Sequence, residues 1–374
     1  MPKTKPKHIA IFIPNLGGGG AQKVMLNLAV ELHKRGYRVD FVLVHKEGAY
    51  LKDVPKEINV LSFRTLTKRR FKMPQQVIPL ALYLRREKPD VLLSAMNPCN
   101  LVAIISAGLS MSDTKIAVSE HNTFSLEEAS MGLIRRKVMP HLIKFFYPKA
   151  TFVIATTKGM ADDLSEAVGL PKESMVVIYN PVVTPEIYRR SKEKISHPFF
   201  ENKSDGVLIN VANLNEQKNH SNLIKAFSIL IRSKDVRLII LGEGEDRGKI
   251  EKEIRDLNLK KFISMPGFVD NPYAYMAQSD AFVLSSRREG LPTVLIEAMA
   301  CGTPVVSTNC PSGPAEILEN GRYGKLVPVD DAAALAKAIK KTLDNPIDSQ
   351  KLRERAKYFS VKNSTDKYIE TLGL

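Results

Sequence analysis

The sequence predicts an α/β protein with two doubly wound parallel-sheet domains, and three observations predict it. Short apolar runs alternate with amphipathic stretches of helical period along most of the chain. The alternation lapses over residues 181–205, which are rich in Pro, Lys, Glu and Ser, and then resumes. The 374 residues are also long for one core. Two successive Rossmann-like halves are therefore expected.

In the first half, buried strands are joined by amphipathic helices, in the βαβ order of a parallel sheet. The strands are expected at HIAIFIP, RVDFVLV, INVLSF, DVLLSA, KIAVSE, TFVIA and MVVIY. The helices are expected at AQKVMLNLAVELHKRG, which ends at Gly36, and at QQVIPLALYLRRE.

The second half repeats the pattern. Its strands are expected at GVLINVA, VRLIILG, FISMPG, AFVLSS, TPVVST and LVPV. Its helices are expected at HSNLIKAFSILIRS, DRGKIEKEIRDLN, NPYAYMAQ, PTVLIEAMAC and DAAALAKAIKKTLDN, followed by a helical tail from about Asp348. The predicted boundaries are a first domain at 1–185, a linker at 186–205, a second domain at 206–355, and a C-terminal helix at 356–374 that crosses back to the first domain.

Composition excludes several classes of protein. No apolar run is long enough to span a membrane, and MPKTKPKHIAIFIPN is interpreted as a basic lead and a first strand rather than a signal peptide. The three cysteines, Cys99, Cys301 and Cys310, show no CxxC spacing, so neither a disulfide framework nor a zinc site is expected. A reducing cytoplasm fits this pattern.

The net charge of +15 is unevenly placed. Residues 1–190 hold 28 Lys and Arg against 16 Asp and Glu, a net +12, whereas residues 191–374 hold 27 against 24, a net +3. Local clusters are Lys68–Lys72, Arg85–Arg86 and Arg135–Lys137, the last leading into large apolar residues. Such a face is either a solvated surface or a binding face for an anionic membrane. Nucleic-acid binding is not expected, because the aromatic residues form no stacking platform.

The segment EGLPTVLIEAMACG, residues 289–302, carries the most chemical information. Pro292 is expected at the first helical position and Gly302 just past the helix end. Glu289 then lies in a loop before a helix N-terminus, which attracts anions, and Glu297 lies about one turn into the helix. An anion site flanked by two carboxylates suits a sugar nucleotide.

Other polar loops follow strands, at the edge where doubly wound sheets bind ligands. They are Pro14–Ala21 with four glycines, Ser119–Asn122 with His121, Asn213–His220 with Lys218, Pro266–Asp270, and Cys310–Glu316. Taken singly, each has an ordinary alternative: a flexible turn, a structural histidine or a solvated lysine. With two domains facing each other, the site is expected in the cleft between them.

Taken together, these loops resemble family-4 glycosyltransferases, which have the two-domain GT-B fold. The resemblance covers nearly the whole chain and is most specific at EGLPTVLIEAMACGTPVV, which fits the family's Glu-x7-Glu pattern at Glu289 and Glu297. GGA before a helix, SEH and EGLPTVLIE are similar to bacterial enzymes that add sugars to lipid-linked oligosaccharides, capsule or lipopolysaccharide.

The resemblance implies roles for single residues. Glu297 would bind the ribose, and Val269 would lie by the base. Glu289 would contact the sugar, and Lys218 would neutralise the departing diphosphate. The backbone that would hold the sugar and the diphosphate comprises Gly290, Leu291, Pro292 and Thr293, while Gly18 and Gly19 would close on the diphosphate and His121 would lie near the reacting sugar and acceptor.

The same resemblance implies a retaining transferase that takes a hexose or N-acetylhexosamine from a nucleotide diphosphate sugar, preferably a UDP-sugar. The acceptor would be a glycan or a polyprenyl-diphosphate-linked glycan. No cofactor is expected, and no metal is needed. The protein would be cytoplasmic and peripheral on the inner face of the membrane. The alternatives are a non-catalytic nucleotide-sugar-binding protein and a sugar-nucleotide epimerase of the same fold.

This sequence departs from the family at two positions. Asn213 stands where the family has an arginine, so one diphosphate cation is missing, although Asn213 stays among the candidate donor-binding residues. Arg287, Arg288 or Lys23 are hypothetical replacements. Gln22 stands where the family has a glutamate, and its role is open.

Overall fold

The structure is a computed structural model that describes residues 6–63, 73–125, 132–201 and 204–374; of residues 133 and 134 it describes the backbone. The chain divides into two compact units. Unit 1 comprises Met1–Pro181 with Val361–Leu374, and unit 2 comprises Val182–Ser360. The basic cluster Lys68–Lys72 lies outside the described residues.

Unit 1 is built on a seven-stranded parallel sheet in the order β3-β2-β1-β4-β5-β6-β7. The order reverses between β1 and β4, so the loops that follow these two strands meet at a topological switch point. The strands are β1 (His8–Ile13), β2 (Arg38–Leu43), β3 (Asn59–Ser62), β4 (Val91–Ala95), β5 (Lys115–Glu120), β6 (Phe152–Ala155) and β7 (Met175–Val177).

Helices cover both faces of this sheet. Successive strand residues point to opposite faces, so Ile11 packs into one hydrophobic cluster and Phe12 into the other. The helices are α1 (Gly20–Lys34), α2 (Val77–Glu87), α3 (Asn97–Ser110), α4 (Leu133–Phe146) and α5 (Lys158–Val168).

Unit 2 has a six-stranded parallel sheet in the order β10-β9-β8-β11-β12-β13. Its switch point lies between β8 and β11, so the loop after β8 neighbours the loop after β11. The strands are β8 (Gly206–Val211), β9 (Val236–Leu241), β10 (Ile263–Gly267), β11 (Ala281–Leu284), β12 (Val305–Thr308) and β13 (Lys325–Val327).

Unit 2 has helices on both sides of its sheet, and one more helix belongs to unit 1. In chain order they are α6 (Pro185–Arg190), α7 (Pro198–Glu201), α8 (His220–Leu230), α9 (Arg247–Asp256), α10 (Pro272–Gln278), α11 (Thr293–Cys301), α12 (Gly313–Ile317), α13 (Ala332–Asp344), α14 (Ser349–Lys357) and α15 (Val361–Leu372). Helix α15 packs against α1, and Tyr368 is buried in the unit 1 core. Among the described residues, none of these helices is both long and apolar enough to cross a bilayer.

Several boundaries differ from the sequence predictions. The expected linker at 186–205 contains α6 and α7 and belongs to unit 2, because Arg190 and Asn271 bind it to the loop after β10. The C-terminal helix begins at Val361 rather than at residue 356. Pro292 precedes α11 instead of opening it. Helices α3, α4 and α5 were not predicted. In α3, apolar residues cover most faces and leave no amphipathic period.

Candidate active site

Lys218 and Glu289 form the centre of the candidate site in unit 2. Lys218 Nζ lies 2.6 Å from Glu289 Oε1. The Glu289 side chain is 7% exposed and that of Lys218 is 18% exposed, so the pair is largely shielded from water. Ser286 Oγ donates to the same carboxylate oxygen at 2.6 Å. The two predicted residues are thus brought together, with the carboxylate held by a cation and a hydroxyl.

Hydrogen bonds to backbone carbonyls join the two loops that carry this pair. The side-chain Nε2 of Gln217 donates to the carbonyl of Arg288 at 2.9 Å, and the backbone N–H of Arg287 donates to the carbonyl of Gln217 at 2.9 Å. Ser285 Oγ donates to the carbonyl of Lys218 at 2.8 Å. The loop after β8 and the loop after β11 therefore form one rigid platform at the switch point.

The N-terminus of α11 lies directly after this platform, and no side chain caps it. Its first turn also holds no acidic residue. Other helices of the protein have side-chain caps, because unpaired N–H groups at a helix start need acceptors. Capped starts include those of α5 at Thr157, α10 at Asn271, α13 at Asp331 and α14 at Asp348. The start of α11 is left ready for a ligand anion.

The loop before α11 is packed closely against the start of α12. The N–H of Gly313 donates to the carbonyl of Gly290 at 2.8 Å. A Cβ atom on Gly313 would lie 2.4 Å from that carbonyl oxygen and 2.9 Å from the Cα of Leu291, so only glycine fits. Ser312 has a positive φ of 79°, a strained conformation of the kind that clusters at functional sites.

The other predicted donor-binding residues of unit 2 have separate surroundings. Glu297 lies on α11, where its negative charge, together with the burial of Tyr273, raises the pKa of the Tyr273 hydroxyl. Val269 is half-buried and follows Phe268, whose ring is 80% exposed. Asn213 is exposed at the end of β8.

Arg287, one proposed replacement for the family arginine, is held by acidic neighbours. Its Nε lies 2.9 Å from Asp330 Oδ1, and its Nη1 lies 3.7 Å from Glu216. Asn219 Nδ2 donates to the same Asp330 oxygen at 2.8 Å. Lys23, in unit 1, lies with its Nζ 5.1 Å from the ring centre of Tyr50.

The glycine loop of unit 1 follows β1 and opens α1, as predicted, and no side chain caps that helix either. Gly18 is exposed and Gly19 half-buried. Gly48, at φ 129°, packs closely against the backbone of this loop, and a Cβ there would lie 2.0 Å from the carbonyl oxygen of Leu16. The loop is therefore supported by its neighbours while its glycines stay accessible.

His121 lies at the carboxyl end of β5 and is 7% exposed. Its Nε2 is 3.0 Å from Ser119 Oγ, whereas its buried Nδ1 has no partner among the described residues. Burial lowers the pKa of His121 to about 4, so the ring is neutral at physiological pH.

Comparisons with known proteins agree with this architecture. Residues 18–185 match the family described as Glycosyltransferase Family 4, and residues 191–359 match Glycosyl transferases group 1. The two matches together span most of the chain. The chain belongs to the family-4 glycosyltransferases. It is an enzyme with the GT-B fold of two Rossmann-like domains, as the sequence predicted.

Relatives of this glycosyltransferase include two bacterial sugar transferases. It is 29% identical to a Campylobacter jejuni enzyme named N-acetylgalactosamine-N,N'-diacetylbacillosaminyl-diphospho-undecaprenol 4-alpha-N-acetylgalactosaminyltransferase, over 98% of this chain and 100% of that one. It is 27% identical to the lipopolysaccharide core biosynthesis glycosyltransferase LpsE of Rhizobium meliloti, over 95% and 96% of the two chains.

Solved structures share the fold. A Rickettsia africae glycosyltransferase superposes with a TM-score of 0.81 at 18% identity, over 99% of this chain and 98% of that one. HepE of Anabaena in complex with UDP gives a TM-score of 0.77 at 21% identity, over 98% and 99%.

The supporting roles of three residues were not predicted from the sequence. Ser286 binds Glu289, Asp330 binds Arg287, and Ser119 binds His121. The roles of Ser119 and Ser286 could have been predicted from the sequence, because each lies at or just past the carboxyl end of a predicted strand. The role of Asp330 could not, because its partners are distant in the sequence.

Proposed function

We propose that the enzyme transfers a hexose or N-acetylhexosamine from a UDP-sugar to a glycan or polyprenyl-diphosphate-linked glycan, with retention of anomeric configuration. The observation that carries the proposal is the shielded Lys218–Glu289 pair beside the uncapped start of α11. A cation and free N–H groups suit a diphosphate, and a carboxylate suits sugar hydroxyls.

The donor class is supported by site chemistry and by relatives. One Coulomb contact of Lys218 with a phosphate is worth on the order of 4 kcal/mol gross at about 4 Å and an effective dielectric near 20. The HepE structure contains UDP. We assign Glu297 to the ribose and Glu289 to the transferred sugar, with the backbone of Gly290–Thr293, Gly18 and Gly19 on the diphosphate.

Electrostatic stabilisation is the proposed source of catalysis. Negative charge grows on the β-phosphate as the bond to the sugar breaks, and fixed N–H groups and Lys218 stabilise that charge. We propose that Glu289 is not a covalent nucleophile, because its carboxylate is assigned to the hydroxyls of the transferred sugar. We propose that His121 lies by the reacting sugar and that the step needs no metal.

The acceptor class comes from relatives. The Campylobacter jejuni enzyme is named for a diphospho-undecaprenol-linked acceptor, and LpsE for lipopolysaccharide core biosynthesis. Either assignment places the reaction at a membrane surface, so we propose a peripheral position on the inner face of the cytoplasmic membrane.

An exposed face of unit 1 supports membrane contact. Helix α2 packs against α3, and α3 against α4. This layer exposes large apolar side chains beside many cations, a combination that suits an anionic lipid surface. The apolar side chains are Ile78, Leu82, Leu109, Met111, Val138 and Phe145, and the exposed cations are Arg85, Arg86, Arg135, Arg136, Lys137, Lys144 and Lys149.

The activity is tested by incubating the protein with UDP- and GDP-sugars and lipid-linked acceptors, with and without EDTA. Transfer with UDP release, an unchanged anomeric configuration by NMR, and loss of both in Glu289→Ala are expected. Interconversion of sugars without nucleotide release would identify an epimerase. Tight binding without turnover would identify a binding protein.

The membrane proposal has a matched test with anionic liposomes at low salt. Arg85→Gln/Arg86→Gln is expected to weaken binding, while Lys337→Gln/Lys340→Gln, which removes the same charge from α13 of unit 2, leaves it intact. Equal binding by both variants would reject this face as the contact surface.

A further inference from the structure

The carboxyl end of β5 holds a histidine whose two ring nitrogens have different surroundings. Nε2 of His121 is 3.0 Å from Ser119 Oγ. Nδ1 is buried and has no partner among the described residues. A buried polar atom without a partner is costly, and a ligand hydroxyl bonded to Nδ1 would remove that cost.

Ser119 and His121 share one face of the strand end, because side chains two residues apart in a strand point to the same side. Ser119 is fully buried. Its hydroxyl is therefore fixed in position and restricts the rotation of the imidazole about its side-chain bonds.

The backbone beneath this pair is fixed by α3. Asn100 Nδ2 donates to the carbonyl of Ser119 at 3.1 Å and to Glu120 Oε1 at 3.0 Å, and Ser94 Oγ donates to Asn100 Oδ1 at 2.6 Å. Tyr147 also donates to the Glu120 carboxylate. These side chains are at most 3% exposed, so the strand end cannot shift without breaking several buried hydrogen bonds.

We propose that Ser119 is the positioning residue of His121, and that it holds Nε2 so that Nδ1 is the atom that meets a hydroxyl of the sugar or acceptor. This inference rests on the proposed sugar transfer. It adds which ring nitrogen of His121 binds the hydroxyl and which residue positions the ring. A hydrogen bond at one ring nitrogen biases the tautomer of a neutral imidazole. Since burial keeps His121 neutral, the tautomer decides whether Nδ1 donates or accepts.

Substitution of His121 by asparagine or glutamine tests which ring nitrogen binds the hydroxyl. The amide of asparagine occupies roughly the place of Nδ1, and that of glutamine the place of Nε2. We expect His121→Asn to retain more activity than His121→Gln, by up to about tenfold, the value of one hydrogen bond. Equal activities, or a more active glutamine variant, would overturn the assignment of Nδ1.

Variants of Ser119 test the positioning role, with nitrogen-15 NMR of the His121 ring as a readout independent of activity. Ser119→Ala is expected to change the ratio of the two neutral tautomers and to lower kcat up to about tenfold with little change in the donor KM. Ser119→Thr keeps the hydroxyl and is expected to restore both. An unchanged tautomer ratio in Ser119→Ala would overturn the role.

Ser106→Ala is the matched control, because it also removes a fully buried hydroxyl of unit 1 with one hydrogen bond, to the carbonyl of Val77 at 3.0 Å. It is expected to change neither the tautomer ratio nor kcat, and a shift like that of Ser119→Ala would overturn the proposal. If the wild type transfers no sugar, the proposed function fails, while the NMR experiment still decides which nitrogen Ser119 holds.

Discussion

Lys218 Nζ and Glu289 Oε1 are 2.6 Å apart, and this ion pair joins the loop after β8 to the loop after β11. The two residues lie 71 positions apart in the chain. The pair fixes the switch point of the second sheet and, in the proposed function, supplies the opposite charges that bind a sugar diphosphate.

Removing one partner of this ion pair should destabilise unit 2. In Lys218→Met, the Glu289 carboxylate stays buried without its cation, which costs toward the lower end of about 3–5 kcal/mol, since Lys218 is partly exposed. The double variant Lys218→Met/Glu289→Gln should recover part of that loss. Urea denaturation of both variants measures the difference, and a double variant no more stable than the single one would contradict it.

The control is a surface pair of the same unit. Lys234 Nζ lies 2.8 Å from Asp344 Oδ1, which is well exposed. Lys234→Met should cost much less than Lys218→Met, because solvent screens such pairs.

Gly313→Ala should displace the loop before α11. The added Cβ would overlap the backbone of Gly290 and Leu291, so the loop before α11 must move. We expect the UDP Kd to rise about tenfold or more, the value of one lost charged hydrogen bond, measured by calorimetry.

Gly248→Ala is the control: it lies in α9 with no atom within 4 Å of the added Cβ. It should stabilise the protein by about 0.5–1 kcal/mol and leave UDP binding unchanged. If Gly313→Ala binds UDP as tightly as the wild type, the packing argument is contradicted.

The fold could be predicted from the sequence because buried parallel strands and their helices are local patterns. Both Rossmann-like sheets and the GT-B architecture are confirmed. Helix α3 was missed because a helix buried on most faces shows no helical period. The segment 186–205 was misread because its polar composition resembles a linker, whereas Arg190 ties it to Asp270, a distant contact that composition does not reveal.

The candidate site was predictable where motif residues follow strands, as Lys218, Glu289 and His121 do. Their supporting residues were harder. Ser286 and Ser119 look like ordinary strand-end serines, and only the folded structure shows which oxygen or nitrogen each one binds.

Two buried histidines should make stability depend on pH. Burial lowers the pKa of His121 and of His220 to about 4, with Lys218 adding to the effect at His220. The unfolded chain, with a histidine pKa near 6.5, binds more protons than the folded one between about pH 4 and pH 6.5. Stability is therefore complete above about pH 7 and is lost as the pH falls through this window.

The contribution of each histidine is on the order of 2 kcal/mol between pH 7 and pH 5. Replacing His220 by Asn should reduce the acid-induced loss by about that amount, measured by denaturation at both pH values. Replacing the exposed His141 by Asn should not reduce it. A similar acid response in wild type and His220→Asn would show that other groups carry it.

Phe268 should contribute to nucleotide binding without contributing to stability. Its ring is 80% exposed at the end of β10, and Arg190 holds the loop by donating to Asp270 Oδ2 at 2.5 Å. An exposed ring on a fixed loop is suited to stack on a base, which is worth about 1–3 kcal/mol per base. Phe268→Ala should therefore raise the UDP Kd about tenfold and change the free energy of unfolding by less than about 0.5 kcal/mol, while Phe268→Tyr keeps the affinity. Tyr358→Ala, which removes another exposed ring of unit 2, is the control for nonspecific effects. Since a stacked ring acts on the base, Phe268→Ala should also weaken UMP binding by the same factor. An unchanged UMP affinity would mean that the base binds elsewhere.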